Sequence, residues 1–472
     1  MDRMQRFSSR ELDTIHDASI QILKRTGIDF NERAAADLLK KNGIKTHGTR
    51  SFFTEKQILT ALETVPSRFR IHARNPDKTI DMGRDRFVFL PTGGAPRVAG
   101  PDGTRRPATL ADYETACKLV HTSDQLDMGG YIMVQPNDIP ADTSHLDMIQ
   151  TYLTRCDKPL FGATGSGRAA MECIRMTSLF FGGLEAMKKT PAMLSVVNAA
   201  SPLQYAEEQT QVIMAMAEYN QPIVIANMIL AGASGPVSLP GLLALQNAEI
   251  LAGITLSQLV SPGAPVVYGS TSAPMDMKTM VSAVGASETL KIANATIQLA
   301  RRYDLPCRCG GGLTDAHIPD GQAMAESSLM LSTVVRNGAN VIYHSCGQMG
   351  SFISMSFEKW LMDEEICRTV RQVLEPIGIS ADAIDTDLIH DIGIGGQYLD
   401  HPSTFRQFRT LSQPVLFNRK DYSKWRAAGA NRIDKIAAHH LARRLEGYEK
   451  PPMDPEIEKE LTAFVDHAKQ RY

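Results

Sequence analysis

Between about residue 87 and residue 344, eight short apolar runs recur, each followed by a stretch with helical spacing, and this alternation restricts the fold more than any other feature of the chain. The runs are 87–91, 128–135, 159–164, 193–199, 222–228, 265–270, 306–310 and 340–344. The helix-patterned stretches between them include 201–220, 240–259, 277–303 and 320–336. Near-continuous apolar runs separated by amphipathic helices imply parallel strands buried on both faces. Several runs follow a proline (Pro159, Pro191, Pro222, Pro265, Pro306), a residue tolerated where a strand begins and poor inside one. Eight such units predict a closed (β/α)8, or TIM, barrel. An open doubly wound sheet is the alternative, but no Gly-x-Gly-x-x-Gly turn follows the first run.

The flanks read differently. Residues 1–86 are expected to form a helical cap with a small hairpin. Ser8 and Glu11 have capping-box spacing, Leu12, Ile15, Ile22 and Leu23 recur with helical period, and Gly27 supplies a stop. Asn31 and Thr54 are expected caps of two further helices, and Phe69-Arg70-Ile71-His72-Ala73 alternates as a short strand does. The barrel is expected over 87–375. A helical extension packed on it is expected over 376–472, interrupted by the glycine-rich stretch 392–402.

Charge narrows the partners. Lys plus Arg number 50 against 52 Asp plus Glu, for a net charge of −2, which argues against nucleic acid or an anionic membrane. The start, Met1-Asp2-Arg3-Met4-Gln5-Arg6, lacks the apolar core of a signal peptide, and no uninterrupted apolar run reaches spanning length. Seven scattered cysteines fit reduced thiols, so a cytoplasmic protein is expected.

Chemistry concentrates where the last two runs end. In 307–309 the side chains alternate, so Cys307 and Cys309 face one way and Arg308 the other. Cysteine suits the apolar side facing the helices and arginine does not, so Arg308 is expected inside the barrel. A guanidinium there can hold a carboxylate or phosphate through two parallel bonds, or else pair with an interior carboxylate. His344, ending the eighth run, can bind an anionic substrate or transfer a proton, or else bond a backbone carbonyl. The Cys-x-Cys at 307/309 and His-x-Cys at 344/346 raise zinc, but an inward Arg308 turns the thiols away, so no metal is expected. Gly310, Gly311 and Gly312 are read as a phosphate cradle or as space for something wide, and Gly93 and Gly94 as such space. Phe352 and Phe357 are candidates to enclose a quaternary ammonium.

The stretches Leu313-Thr314-Asp315-Ala316-His317-Ile318-Pro319-Asp320-Gly321-Gln322-Ala323, Gly338-Ala339-Asn340-Val341-Ile342-Tyr343, Gly395-Gly396-Gln397-Tyr398-Leu399 and Thr404-Phe405-Arg406-Gln407-Phe408-Arg409 resemble the trimethylamine methyltransferase family, in its branch without pyrrolysine. The chain departs from that pattern at Ser403 and Gln407, where many members carry histidine. The resemblance implies methyl transfer from glycine betaine to the Co(I) of a separate corrinoid protein, giving dimethylglycine. Proline betaine, carnitine and γ-butyrobetaine are the alternative donors. It implies cobalamin carried by the partner and none bound by this chain, and a homo-oligomer. Arg308 and His344 would hold the betaine carboxylate, with His344 as the catalytic residue, while Gly310, Gly311, Gly312 and Asp315 would meet the corrinoid. A barrel enzyme acting on a phosphorylated substrate and a non-catalytic betaine-binding or corrinoid-docking subunit are the other readings.

Overall fold

The computed structural model describes residues 4–163, 165–411 and 413–472. At its centre eight parallel strands form one sheet: β1 (Val88–Phe89), β2 (Gly129–Gly130), β3 (Leu160–Phe161), β4 (Met193–Asn198), β5 (Ile223–Ala226), β6 (Val266–Gly269), β7 (Cys307–Gly310) and β8 (Val341–Tyr343). Strands β2 to β8 pair in chain order, and β1 pairs with β8. Asp127 joins the remaining seam. Its backbone N–H donates to the Phe89 carbonyl (3.0 Å), and its carboxylate accepts from the Phe89 N–H (2.7 Å). The sheet thus curls into the expected (β/α)8 barrel. The prolines ahead of β5, β6 and β7 each offer a carbonyl to the neighbouring strand, as Pro306 does to Tyr268 N–H (2.9 Å), where an N–H is not required.

Val88, Met128, Phe161, Leu194, Val224, Val267 and Val341, one from each of seven strands or strand approaches, fill the barrel interior as a single cluster. Ile71 and Met82, on the hairpin Phe69–Ile71/Ile80–Met82, join it, as do Leu90, Ala226 and Tyr343. The bond from His72 N–H to the Pro191 carbonyl, just ahead of β4, places this hairpin under the N-terminal end. Outward residues such as Ile225, Cys309 and Ile342 join the larger core shared with the helices. Helix Leu239–Val260 is apolar on every side because it is covered on every side. It is, among the described residues, the helix long and apolar enough to cross a membrane, yet 83% of its window lies inside the protein. Ser19 on the N-terminal helix Ser9–Arg25 bonds its Ala244 carbonyl (2.9 Å), and Gln246 bonds Thr296 (2.8 Å) on Ser287–Arg302.

Four local expectations change. The run 128–135 is strand only through Gly130, because Gly130 (φ 147°) and Ile132 (φ 63°) turn the chain. The helix expected from 277 starts at Ser287, and Ala273–Asp276 with Val281–Ser282 makes a hairpin first. The N-cap of Arg33–Lys41 is Glu32, not Asn31, whose N–H instead bonds Tyr205 O. The cap expected over 1–86 is not all helix ahead of its hairpin, since Ile28–Phe30 pairs with Arg50–Phe52 and with Gln204–Tyr205. Three-residue strands carry too little periodicity to be seen in sequence. Thr164, the expected end of β3, and Met1, Asp2 and Arg3 lie outside the described residues.

Candidate active site

Arg308 sits on the interior face of β7, between Gly269 of β6 and Val341 of β8 in register. It is 3% exposed, and its surroundings are unusual for a buried cation. Nη1 donates to Thr271 Oγ1 (2.5 Å), the guanidinium lies 5.1 Å from the Tyr343 ring centre, and Nε has no partner. Among the described residues no carboxylate pairs with it, so the alternative of an interior salt bridge is not what the fold contains. Burial is the main influence lowering its proton affinity, and only weakly acidic phenol and thiols oppose that. Arginine stays charged regardless. A buried, uncompensated charge costs several kcal/mol, so a guanidinium left here without a counterion marks Arg308 as the candidate for an anion-binding role.

Strand parity alone would turn His344 outward, because Tyr343 faces in. A left-handed backbone at His344 (φ 61°) brings the ring back. It stacks on Tyr343 with centroids 4.0 Å apart and meets the edge of Phe352 at 5.1 Å. Its backbone is fixed on both sides, N–H to Pro91 O (3.1 Å) and O from Gly312 N–H (2.7 Å). Desolvation first, then the nearby Arg308 charge, pushes the imidazole pKa well below its ordinary 6.5, and only Gln348 opposes. His344 is therefore neutral at neutral pH, with Nδ1 buried and unpartnered. A neutral imidazole suits hydrogen bonding to an anion through its ring N–H. Left-handed residues crowd this loop: after His344 come Gly347, Gly350, Ser351 and Phe352. Such strain concentrates where geometry serves a site.

Aromatic surface surrounds this pair. Phe161 lies 4.9 Å from Tyr343, and Phe352 rests on Ala273, Val284 and Leu313 at the mouth. Burial raises the Tyr343 phenol well above its ordinary range. The interior positions become progressively wetter toward the mouth. Leu194 and Val224 are fully covered, Val196 is partly exposed, and Asn198 and Met228 face solvent. The strand ends thus gather Phe161, Tyr343, His344 and Phe352 into a largely covered aromatic cup with Arg308 in its wall.

Several expected site residues do other work. Gly310, Gly311 and Gly312 are buried, and their missing side chains permit close packing rather than space for a ligand. A Cβ at Gly312 would lie 2.6 Å from Ser345 O, and one at Gly311 would lie 2.7 Å from Ile342 Cγ2. The Gly311 and Gly312 amides already bond Tyr343 O and His344 O, so neither a phosphate nor a corrinoid is met there. Gly93 likewise makes room for the Tyr343 phenol. Asp315 is a latch, accepting from Val284 N–H (3.0 Å), Gly285 N–H (2.9 Å) and Ser351 Oγ (2.5 Å). Phe357 packs into the outer core with the helices, away from the cup. The Cys307 and Cys309 thiols lie 4.0 Å apart on the outer face, Cys309 against Ala293 O, while Cys346 neighbours Cys367. They do not converge with His344. His121, Cys156 and Asp157 also approach one another, but Asp157 already binds Lys78 Nζ (2.5 Å) and His121 (3.0 Å).

Sequence reasoning missed Tyr343, Thr271 and Phe161 as site residues. Tyr343 was within reach of parity, since it lies two residues after the inward Val341. Thr271 needed the strand order, which sets Gly269 beside Arg308 and Thr271 one pleat further.

A family profile described as trimethylamine methyltransferase (MTTB) matches residues 1–472. The chain belongs to the trimethylamine methyltransferase family. It is 36% identical over 457 residues, 96% of this chain and 95% of the relative, to glycine betaine methyltransferase of Desulfitobacterium hafniense. It is 29% identical to trimethylamine methyltransferase MttB of the same species, over 99% and 94% of the two chains. Among solved structures, the monomethylamine methyltransferase MtmB of Methanosarcina barkeri superposes with a TM-score of 0.51 at 13% identity, covering 93% of this chain and 88% of that one. The last likeness concerns the fold alone. This trimethylamine methyltransferase family member is a methyl-transfer enzyme on a TIM-type barrel.

Proposed function

We propose that the enzyme moves a methyl group from glycine betaine to the Co(I) of a separate corrinoid protein and releases dimethylglycine. The observation that carries this reading is Arg308, a buried cation without a carboxylate, in the wall of an aromatic cup. Glycine betaine supplies the two complements together: a carboxylate for the guanidinium and a quaternary ammonium for the faces of Tyr343, Phe161 and Phe352.

The chemistry matches a neutral His344. Breaking a methyl C–N bond of a quaternary ammonium leaves the electron pair on nitrogen as a neutral tertiary amine, so no proton need be delivered. The methyl carbon takes its new bond from the electron pair of the acceptor. Arg308 and His344 hold the carboxylate, the aromatic rings orient the ammonium, and one methyl points out of the mouth. The chain contributes orientation and a water-poor wall. The mouth also suits a protein partner, since Met228, Met277, Met280, Val281 and Ile353 are exposed around it, and methionine surfaces adapt to what they meet. The phosphorylated-substrate alternative has no support, because the glycine amides it needs are occupied.

The test is a mixture of the purified enzyme, a reduced corrinoid protein and glycine betaine, followed by the cobalt absorption spectrum and by dimethylglycine formation. Turnover with glycine betaine is expected. No spectral change with glycine betaine, proline betaine, carnitine or γ-butyrobetaine would reject the proposal, and binding without turnover would favour a non-catalytic subunit.

A further inference from the structure

After helix Phe357–Leu374 the chain leaves the body, and it rejoins it only where Val415 and Leu416 donate to Glu365. The intervening segment, 376–411, is ordered locally into Ala381–Ile384, Thr386–Ile392 and Pro402–Gln407. Among the described residues, its hydrogen bonds stay within the segment or reach only the adjoining Gln413, as in Thr404 Oγ1 to Tyr398 O (2.6 Å). Leu388 and Ile392 are half-buried, but most of its large apolar side chains are uncovered. Ile377, Ile379, Ile394 and Leu399 are each more than three-quarters exposed, and Phe405 and Leu411 nearly as much so. Together these groups present on the order of 1,000 Å² of apolar-residue surface, against roughly 800 Å² per partner in a standard interface and a few hundred Å² tolerated on a monomer.

We infer that 376–411 is an exchange arm, docking on a second copy of this chain in the groove beside that copy's own arm root. The groove is formed by two adjoining hollows of about 340 and 530 Å³ that share Val415, Leu416 and His440. Leu361, Leu416, Ile436 and Trp425 give it an apolar floor. Its acids are already committed: Glu364 pairs with Arg444 (2.6 Å), and Glu365 accepts from Val415 and Leu416. Arg368, Arg419, Lys420 and Arg443 leave the lining basic. The arm is the opposite. It carries Asp382, Asp385, Asp387, Asp391 and Asp400 against only Arg406 and Arg409. An acidic, isoleucine-rich arm complements a basic, apolar groove, and because each groove adjoins an arm root, a twofold axis lets both copies make the same contact.

Sedimentation velocity on the full chain tests this. The wild type is expected to run as a dimer or a larger even-numbered assembly. The triple variant Ile379→Glu, Ile394→Glu, Leu399→Glu alters side chains exposed in their own protomer, so its far-UV circular dichroism should match the wild type while its dissociation constant rises at least ~100-fold, as for loss of a hot-spot cluster. The groove variant Lys420→Glu, Arg443→Glu is expected to weaken assembly as well. A monomeric wild type, an assembly indifferent to the arm variant, or one lost with the arm variant but untouched by the groove variant would each overturn the inference.

Discussion

The loops after β7 and β8 and the arm at 376–411 are written in a similar alphabet of glycine, hydroxyl, aromatic and a few charged residues, yet they end in opposite surroundings. In the loops, Gly311 and Gly312 let two strand ends touch, backbone against backbone, and the Lys359–Asp363 pair (2.6 Å) locks both. Lys359 donates to Gly312 O (3.2 Å), and Asp363 accepts from Gly347 N–H (2.8 Å). In the arm, Gly395 (φ 75°) has nothing within 4 Å of the place a Cβ would occupy. The same residue type is a packing requirement in one place and a turn in the other. What differs is whether a second element stands behind the segment.

That contrast can be broken experimentally. The largest effect is expected at the lock: Asp363→Ala strands a fully buried ammonium and should lower unfolding free energy by ~3–5 kcal/mol in urea titration. Next, Gly312→Ala drives a methyl against the Ser345 carbonyl and should cost ~1–3 kcal/mol, whereas Gly395→Ala should cost less, the strain of its left-handed turn alone. Arg308→Ala should raise the dissociation constant for glycine betaine at least ~tenfold by calorimetry, the loss of about one charge-assisted contact. Unchanged binding would remove Arg308 from the site, and the same variant should melt no lower than wild type, since an unpaired buried charge is gone.

A smaller effect follows from His344. Its folded pKa lies well below the unfolded value of about 6.5, so the unfolded chain binds the extra proton. Stability should fall as pH drops from about 6.5 toward the folded pKa, with a slope of up to ~1.4 kcal/mol per pH unit, and His344→Gln should flatten that part of the profile. The smallest effect belongs to the arm. Ile394→Glu should change the stability of a dissociated protomer by less than ~0.5 kcal/mol, as surface changes do.

The barrel was legible because burial on both faces leaves a mark in one dimension: short apolar runs, each preceded or followed by a stop, at regular spacing. The side of β7 that carries Arg308 was legible too, since alternation is a covalent fact of extended backbone. The role of the glycines was not. A run of three reads equally as open space or as contact, and only the position of Ser345 and Ile342 decides. Phe352 and Phe357 are five residues apart and alike in type, yet one lines the cup and the other the outer core, because the helix beginning at Phe357 reorients the chain between them.

By itself, then, the sequence determined the period of its own burial: that eight strand-and-helix units alternate along the barrel, and which face of β7 is costly for a charge. Only the tertiary structure decided that, among the described residues, no carboxylate meets Arg308, that His344 turns inward on a left-handed residue, and that the arm leaves most of its isoleucines exposed. Pattern records how much a residue is buried. Partnership depends on what the other strands bring to the same place, and that is a property of three dimensions.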